Sequence, residues 1–330
     1  MLKELLGVEV DYRTANELSK AQINMNFPTT HGWMPVWKKL FLASLDKVPE
    51  NAVLSFSAGI DSSAILFGLH ELDKTPKQMV TFMLEGYPES SDLKFSRKIA
   101  DDLRIELLVA KIPNVTTFML QQDLHDIIAW VPKIRSIDIQ VCYAYKYMLE
   151  MLEPGVPLVM GMYPELSYHA SDMTHEKHFK MARKGLISWR ELYEYEKHVE
   201  DYWKWNDRSN YKVIGEYIES KGHQAVMPFK DEELFYFSRI VGFWPFHFND
   251  ELGKWNEKYF LTHHMFERMF SKYGNAKNKK NFHTNGHLKE YFIERLCPDG
   301  NYKKIITAFN QIANRADDVE DMGDIFEDEV

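Results

Sequence analysis

The residues best suited to chemistry lie between Leu54 and Ala64, in Leu-Ser-Phe-Ser-Ala-Gly-Ile-Asp-Ser-Ser-Ala. A short apolar run, Ala52–Phe56, leads into Ser57, Ala58, Gly59, Asp61, Ser62 and Ser63, and an apolar stretch follows. A loop of small residues after a strand lets backbone N–H groups approach an anion closely. A helix opening there adds the positive end of its dipole. The hydroxyls of Ser57, Ser62 and Ser63 add donors for phosphate oxygens. Asp61 is an acid where phosphate would bind, so it either caps the helix or holds Mg²⁺ between phosphates. The loop lacks the Gly-Lys-Ser/Thr ending of a Walker-type site.

The elements that must position this loop follow from hydrophobic periodicity. Met34–Leu45 has helical spacing, and Ser62–Leu72 reads as a helix behind the loop. Strands are expected at 52–56, 78–83, 106–111 and 157–162. Helices are expected between them at 91–103, 116–130 and 137–152. Strands alternating with helices predict an α/β fold, a parallel sheet with helices on both faces. From Trp189 onward the pattern reads as mostly helical: 189–205, 210–221, 231–241, 254–273, 286–296 and 301–315. The expected organisation is an N-terminal helical segment (1–50), a nucleotide-binding core (51–165) and a loop or lid (166–188). A helical substrate part (189–315) and an acidic tail (316–330) complete it.

The loop resembles the PP-loop of ATP pyrophosphatases, usually Ser-Gly-Gly-x-Asp-Ser. That resemblance implies a sheet of the PP-loop, adenine nucleotide α-hydrolase type. It also implies ATP and Mg²⁺: the loop grips the pyrophosphate while a carboxylate attacks the α-phosphorus. Ala58 stands where the motif has one of its two Gly residues, a tolerable change unless φ must be positive there.

Three further segments resemble the synthetase domain of asparagine synthetases. Thr81–Tyr87, with Ser90, Ser91 and Asp92 following, matches the second strand and its helix, which implies that Met83 and Leu84 lie near the adenine. Pro157–Leu166 matches the strand and loop where the family has Gly-x-Gly-Ala-Asp-Glu-Leu. Glu165 matches the final acid, an implied metal or pyrophosphate-side group, while Pro164 replaces the preceding Asp. Pro228-Phe-Lys-Asp231 matches Pro-Phe-Leu-Asp, with Asp231 expected to cap the next helix. Lys277-Asn-Lys279-Lys280-Asn-Phe282 resembles the family's Lys-x-x-Phe, which implies that Lys279 contacts the phosphates. The family's Glu-x-Arg becomes Gln224-x-Val226.

The resemblance spans about residues 35 to 290 and implies an AMP-forming carbon–nitrogen ligase that joins a carboxylate to ammonia or an amine. Lys279 would neutralise departing pyrophosphate, with Asp61 and Glu165 on Mg²⁺. The chain begins Met1-Leu2, without the family's glutaminase domain. Free ammonia, a separate amidase or another amine is therefore the expected nitrogen source. Other readings remain open: an NAD synthetase-like enzyme, a tRNA-modifying ligase, or a non-catalytic nucleotide-binding scaffold. The Pro-Phe-Lys-Asp and lysine segments argue against the first. A nearly neutral body and unpaired cysteines argue against the second. The changes at Ala58, Pro164 and Val226 motivate the third.

Composition narrows the class. Hydrophobic residues make up 45% and charged residues 27%, which excludes wholesale disorder. The net charge is −9, yet Asp317, Asp318, Glu320, Asp321, Asp324, Glu327, Asp328 and Glu329 account for nearly all of it. The rest lacks the basic footprint of a nucleic-acid binder. That tail, with Ile325 and Phe326 embedded, reads either as a solubilising segment or as a docking peptide. No apolar run is long enough for a membrane span. Two distant cysteines, Cys142 and Cys297, exclude a disulfide scaffold, a zinc ribbon and a Cys-x-x-Cys centre, so a reducing, cytoplasmic setting is expected. His169, His175 and His178, like His283 and His287, lack a thiol partner and read as loop residues rather than a metal centre.

Overall fold

A computed structural model describes residues 31–131, 135–164, 210–241, 258–274 and 286–313, with short stretches between 167 and 194 and between 246 and 255. The expectations for Glu165, Lys277, Lys279, Lys280, His169, His175, His283 and the acidic tail lie outside the described residues.

Five strands form one all-parallel sheet: β1 (Val53–Ser55), β2 (Gln78–Leu84), β3 (Glu106–Ile112), β4 (Pro157–Val159) and β5 (Gln224–Val226), in the order β3-β2-β1-β4-β5. The helices between and around them are α1 (Met34–Asp46), α2 (Ile60–Glu71), α3 (Ser91–Leu103), α4 (Thr117–Trp130) and α5 (Ser136–Leu149). After β4 come α6 (Asn210–Ser220), α7 (Glu232–Val241), α8 (Glu267–Tyr273), α9 (Leu288–Leu296) and α10 (Ile305–Ile312).

Local chemistry accounts for most boundaries. Ser90 caps α3, its Oγ accepting from the Leu93 amide at 3.1 Å, and Arg104 ends that helix at φ 56°. Thr116 caps α4 in the same way. Helix α2 is buried along most of its length, as its apolar stretch Ala64–Leu69 requires. Asp231 caps α7 through the Leu234 amide at 3.2 Å, and its other oxygen pairs with Lys47 at 2.6 Å. Strand β5 falls inside the stretch read as helical. Its three residues, Gln-Ala-Val, are too few to show a period, and pairing with β4 defines it. The expected helix over 254–273 is interrupted. Lys254–Trp255 pairs antiparallel with Phe248–Asn249, Leu261–Met265 forms a π turn, and α8 completes the segment.

Two apolar cores flank the sheet, because alternate strand residues face opposite sides. Leu54, Phe56, Met79 and Val159 face the first core, with α1, α2, α7 and α8. Val53, Val80, Phe82 and Leu158 face the second, with α4, α5, α6, α9 and α10. Helices thus cover both faces. The region after β4 contributes to both cores as well as to the sheet. In the first core Phe229, of the Pro-Phe-Lys-Asp segment, stacks on Phe41 with centroids 5.1 Å apart and planes 6° from parallel.

Asp138, in the first turn of α5, is 1% exposed, and its Oδ1 finds no hydrogen-bond partner among the described residues. Burial pushes this carboxyl up to about 7, with Arg135 pulling it only partly back. The ordinary value is 3.8. Between that value and about 7 the unfolded chain ionises while the folded one stays protonated, so stability falls as pH rises through this window and levels off above it. The loss is on the order of 4 kcal/mol at about 1.4 kcal/mol per pH unit. Asp138→Asn is expected to flatten this slope, read as the change in urea unfolding free energy between pH 5 and pH 8. An unchanged slope would show that the carboxyl does not titrate this way.

Candidate functional site

In an open parallel sheet, ligands bind beyond the carboxyl ends of the strands, where the strand order changes direction. Here that point lies between β1 and β4. The Ser57–Ser63 loop leaves β1 at this point, and Gly161 leaves β4 beside it. The two segments are in close contact. A Cβ on Gly161 would stand 3.0 Å from the Ser62 nitrogen and 3.2 Å from the Asp61 carbonyl carbon. A glycine is required by proximity here, not by its φ.

The loop is built as its sequence predicts. Gly59 is the N-cap of α2 with extended backbone, φ −73° and ψ 166°, and it offers no side chain to cap the helix. Amides of the first turn therefore point toward the crest of the sheet. Ser57 Oγ accepts from the Gly59 amide at 3.4 Å and lies 3.3 Å from Ser62 Oγ, which also donates to the Gly59 carbonyl at 3.3 Å. Ser57 is half-buried, Ser62 is buried, and Ser63 is fully enclosed. Of the three hydroxyls, that of Ser57 is the most open. At the end of β2, Met83 is half-buried, whereas the Leu84 side chain packs into the second core. Leu84 thus offers backbone, not side chain, to a ligand at the crest.

Ala58 has φ +52°. The loop does need a left-handed residue at this position, and alanine occupies it at a steric cost of about 1–2 kcal/mol. Its methyl is buried, 2% exposed, which offsets part of that cost. Ala58→Gly relieves the strain but loses the buried methyl and frees the unfolded chain. Stability is expected to stay within about 1 kcal/mol, whereas Ala58→Val, with a branched Cβ at positive φ, should lose about 2–3 kcal/mol. Chemical denaturation of the two variants checks this. Equal losses would mean that the loop relaxes to negative φ.

The sequence reading missed the residue that completes the site. Lys258 Nζ donates to Asp61 Oδ2 at 2.9 Å, and both side chains are largely enclosed, 9% and 13% exposed. The pair joins residues 197 positions apart. Lys258 sits at φ +57°, and its carbonyl accepts from the Leu261 and Thr262 amides at the entry of the π turn. A left-handed non-glycine beside a π turn is the kind of local strain found at functional positions. One signal was available in the sequence. Lys258 heads the apolar run Tyr259-Phe260-Leu261, all buried, so its ammonium must be directed by the fold.

A cavity of about 330 Å³ opens by the ends of β4 and β5. Tyr163, Met227 and Lys230 line it from the strand ends, and Lys212, Glu216 and Glu219 from α6. Tyr163 lies two residues beyond Gly161, within about 7 Å along the chain. It is buried at φ +65°, with Lys230 Nζ 5.0 Å from its ring centroid. Beyond it, Ser167 is fixed in the first core. Its carbonyl accepts from Trp37 Nε1 at 2.7 Å and from Ser238 Oγ.

Among the described residues no three His, Cys, Asp or Glu side chains group as a metal cage. Mg²⁺ bound with phosphates needs only one or two carboxylates, so Asp61 alone suits that ion. No helix of the described residues is long and apolar enough to cross a membrane. No protein-family model matches the chain, and no curated protein matches it.

Proposed function

We propose that the chain is an ATP-dependent carbon–nitrogen ligase of the PP-loop type, which adenylates a carboxylate and passes the acyl group to ammonia or an amine. The observation that carries this reading is the enclosed Asp61–Lys258 pair on the phosphate-type loop, at the point where the strand order reverses. First-turn amides of α2 and the Ser57 hydroxyl bind phosphate oxygens. Gly161, with no Cβ, lets the chain after β4 close onto the Asp61–Ser62 backbone and so supports the shape of the loop. Asp61 would hold Mg²⁺, which screens the phosphate charge. The cavity lined by Tyr163 and Lys230 seats the acid, with Lys230 as the nearby cation for its negative charge.

The acid's carboxylate oxygen attacks the α-phosphorus, and the bond to pyrophosphate breaks. Lys258, directed by Asp61, neutralises the charge on departing pyrophosphate, the role the sequence reading gave to Lys279. A neutral amine then attacks the acyl carbon. AMP leaves with the bonding pair, and the amine's extra proton passes to solvent.

ATP–pyrophosphate exchange with Mg²⁺ across a panel of carboxylates, aspartate first, tests this. Exchange that depends on one acid supports adenylation. ATP binding without exchange on any acid shifts the weight to a nucleotide-binding scaffold, and no ATP binding removes the reading.

A further inference from the structure

We propose that Tyr145, on the opposite face of the sheet from α2, is a positioning residue that sets the phosphate loop through Ser55; this rests on the reading of the loop given above. Strand β1 ends at Ser55, two residues before Ser57. Val53 and Ser55 share one face of the strand, the face that packs into the second core. Every other residue from Ala52 to Phe56 is apolar. Ser55 is thus a lone hydroxyl turned into an apolar core, 7% exposed, and its Oγ lies 2.9 Å from Tyr145 Oη. Tyr145 is 3% exposed, in the middle of α5, which packs on β2 and β3.

The ladders with β2 and β4 set the register of β1, whereas the apolar contacts that hold α5 against the sheet carry no direction. A hydrogen bond between two enclosed hydroxyls is directional, and losing either partner strands the other. The Tyr145–Ser55 bond therefore pins the carboxyl end of β1. From there the chain runs through Phe56, whose amide bonds the Val80 carbonyl at 2.9 Å, to Ser57 and its contacts with Gly59 and Ser62. A valine at position 55 would fill the core and keep the ladder, but it would leave the link between α5 and the carboxyl end of β1 to packing alone.

Three variants test this: Tyr145→Phe, Ser55→Ala and the double variant. Each is measured for ATP affinity by calorimetry, for the KM and maximal rate of ATP–pyrophosphate exchange, and for thermal midpoint. Tyr145→Phe is expected to raise the Kd and KM for ATP roughly five- to tenfold, with the maximal rate changed less than about twofold. The double variant is expected to regain the midpoint lost by the single ones, since no buried hydroxyl is left stranded, while its KM stays raised. A KM that recovers together with the midpoint, or that never moves, overturns the positioning role and leaves a bond that serves stability alone. Failure of the wild-type chain to bind ATP sinks the functional reading itself, and the comparison among variants is then void of a positioning role.

Discussion

If the protein adenylates a carboxylate as proposed, Lys258→Met is expected to lower ATP–pyrophosphate exchange roughly 10²–10³-fold while the protein stays folded. The magnitude is that of deleting one preorganised group aimed at developing charge in an enclosed site. Methionine keeps the length and the apolar stem, so the packing of Tyr259, Phe260 and Leu261 behind it survives. What disappears is the ammonium 2.9 Å from Asp61. The effect falls on the rate more than on the KM for ATP, because the charge that Lys258 meets is fully developed only as pyrophosphate departs. Lys258→Arg is not a conservative control, since a planar fork replaces a point charge in a space formed for the latter. Single-turnover exchange with circular dichroism on the same sample makes the measurement. A variant that is folded and retains more than about a third of wild-type exchange would show that the pair is structural.

Gly161→Val comes second in size. An alanine Cβ already reaches 3.0 Å from the Ser62 nitrogen, so the two segments must part by a few tenths of an ångström. Valine adds two methyls, which push the chain after β4 further from the first turn of α2, the turn proposed to hold phosphate. Displacements near 1 Å at a reacting centre lower rates by about 10²-fold, so exchange should fall by that order in Gly161→Val and by about tenfold in Gly161→Ala. The atoms on the far side are backbone of α2's first turn, which cannot rotate away as a side-chain tip can. Stability should fall by about 1–3 kcal/mol, the usual range for overpacking. ATP affinity measured by calorimetry separates the two effects. A valine variant that binds ATP as wild type does would place the phosphates elsewhere.

The positions of the strands and helices up to residue 162 were legible in the sequence because each is encoded locally. The span of α3 is set by its amphipathic spacing and its Ser90 cap, and that of β2 by a mostly apolar run rich in strand-forming residues. The Ser57–Ser63 loop was legible for the same reason, as small residues and hydroxyls between a strand and a helix. Tertiary structure decided the rest. Strand β5 exists because three residues meet the edge of β4, and no three-residue pattern announces that. The conformation of Ala58 is imposed by the loop around it and opposes the residue's own preference. The choice of Lys258 over other basic residues as the partner of Asp61 depends on two segments 197 residues apart meeting at one edge of the sheet. Hydropathy and capping act over a few residues. Which distant side chains meet is set by how the cores on the two faces of the sheet pack, and that information is spread over the whole chain.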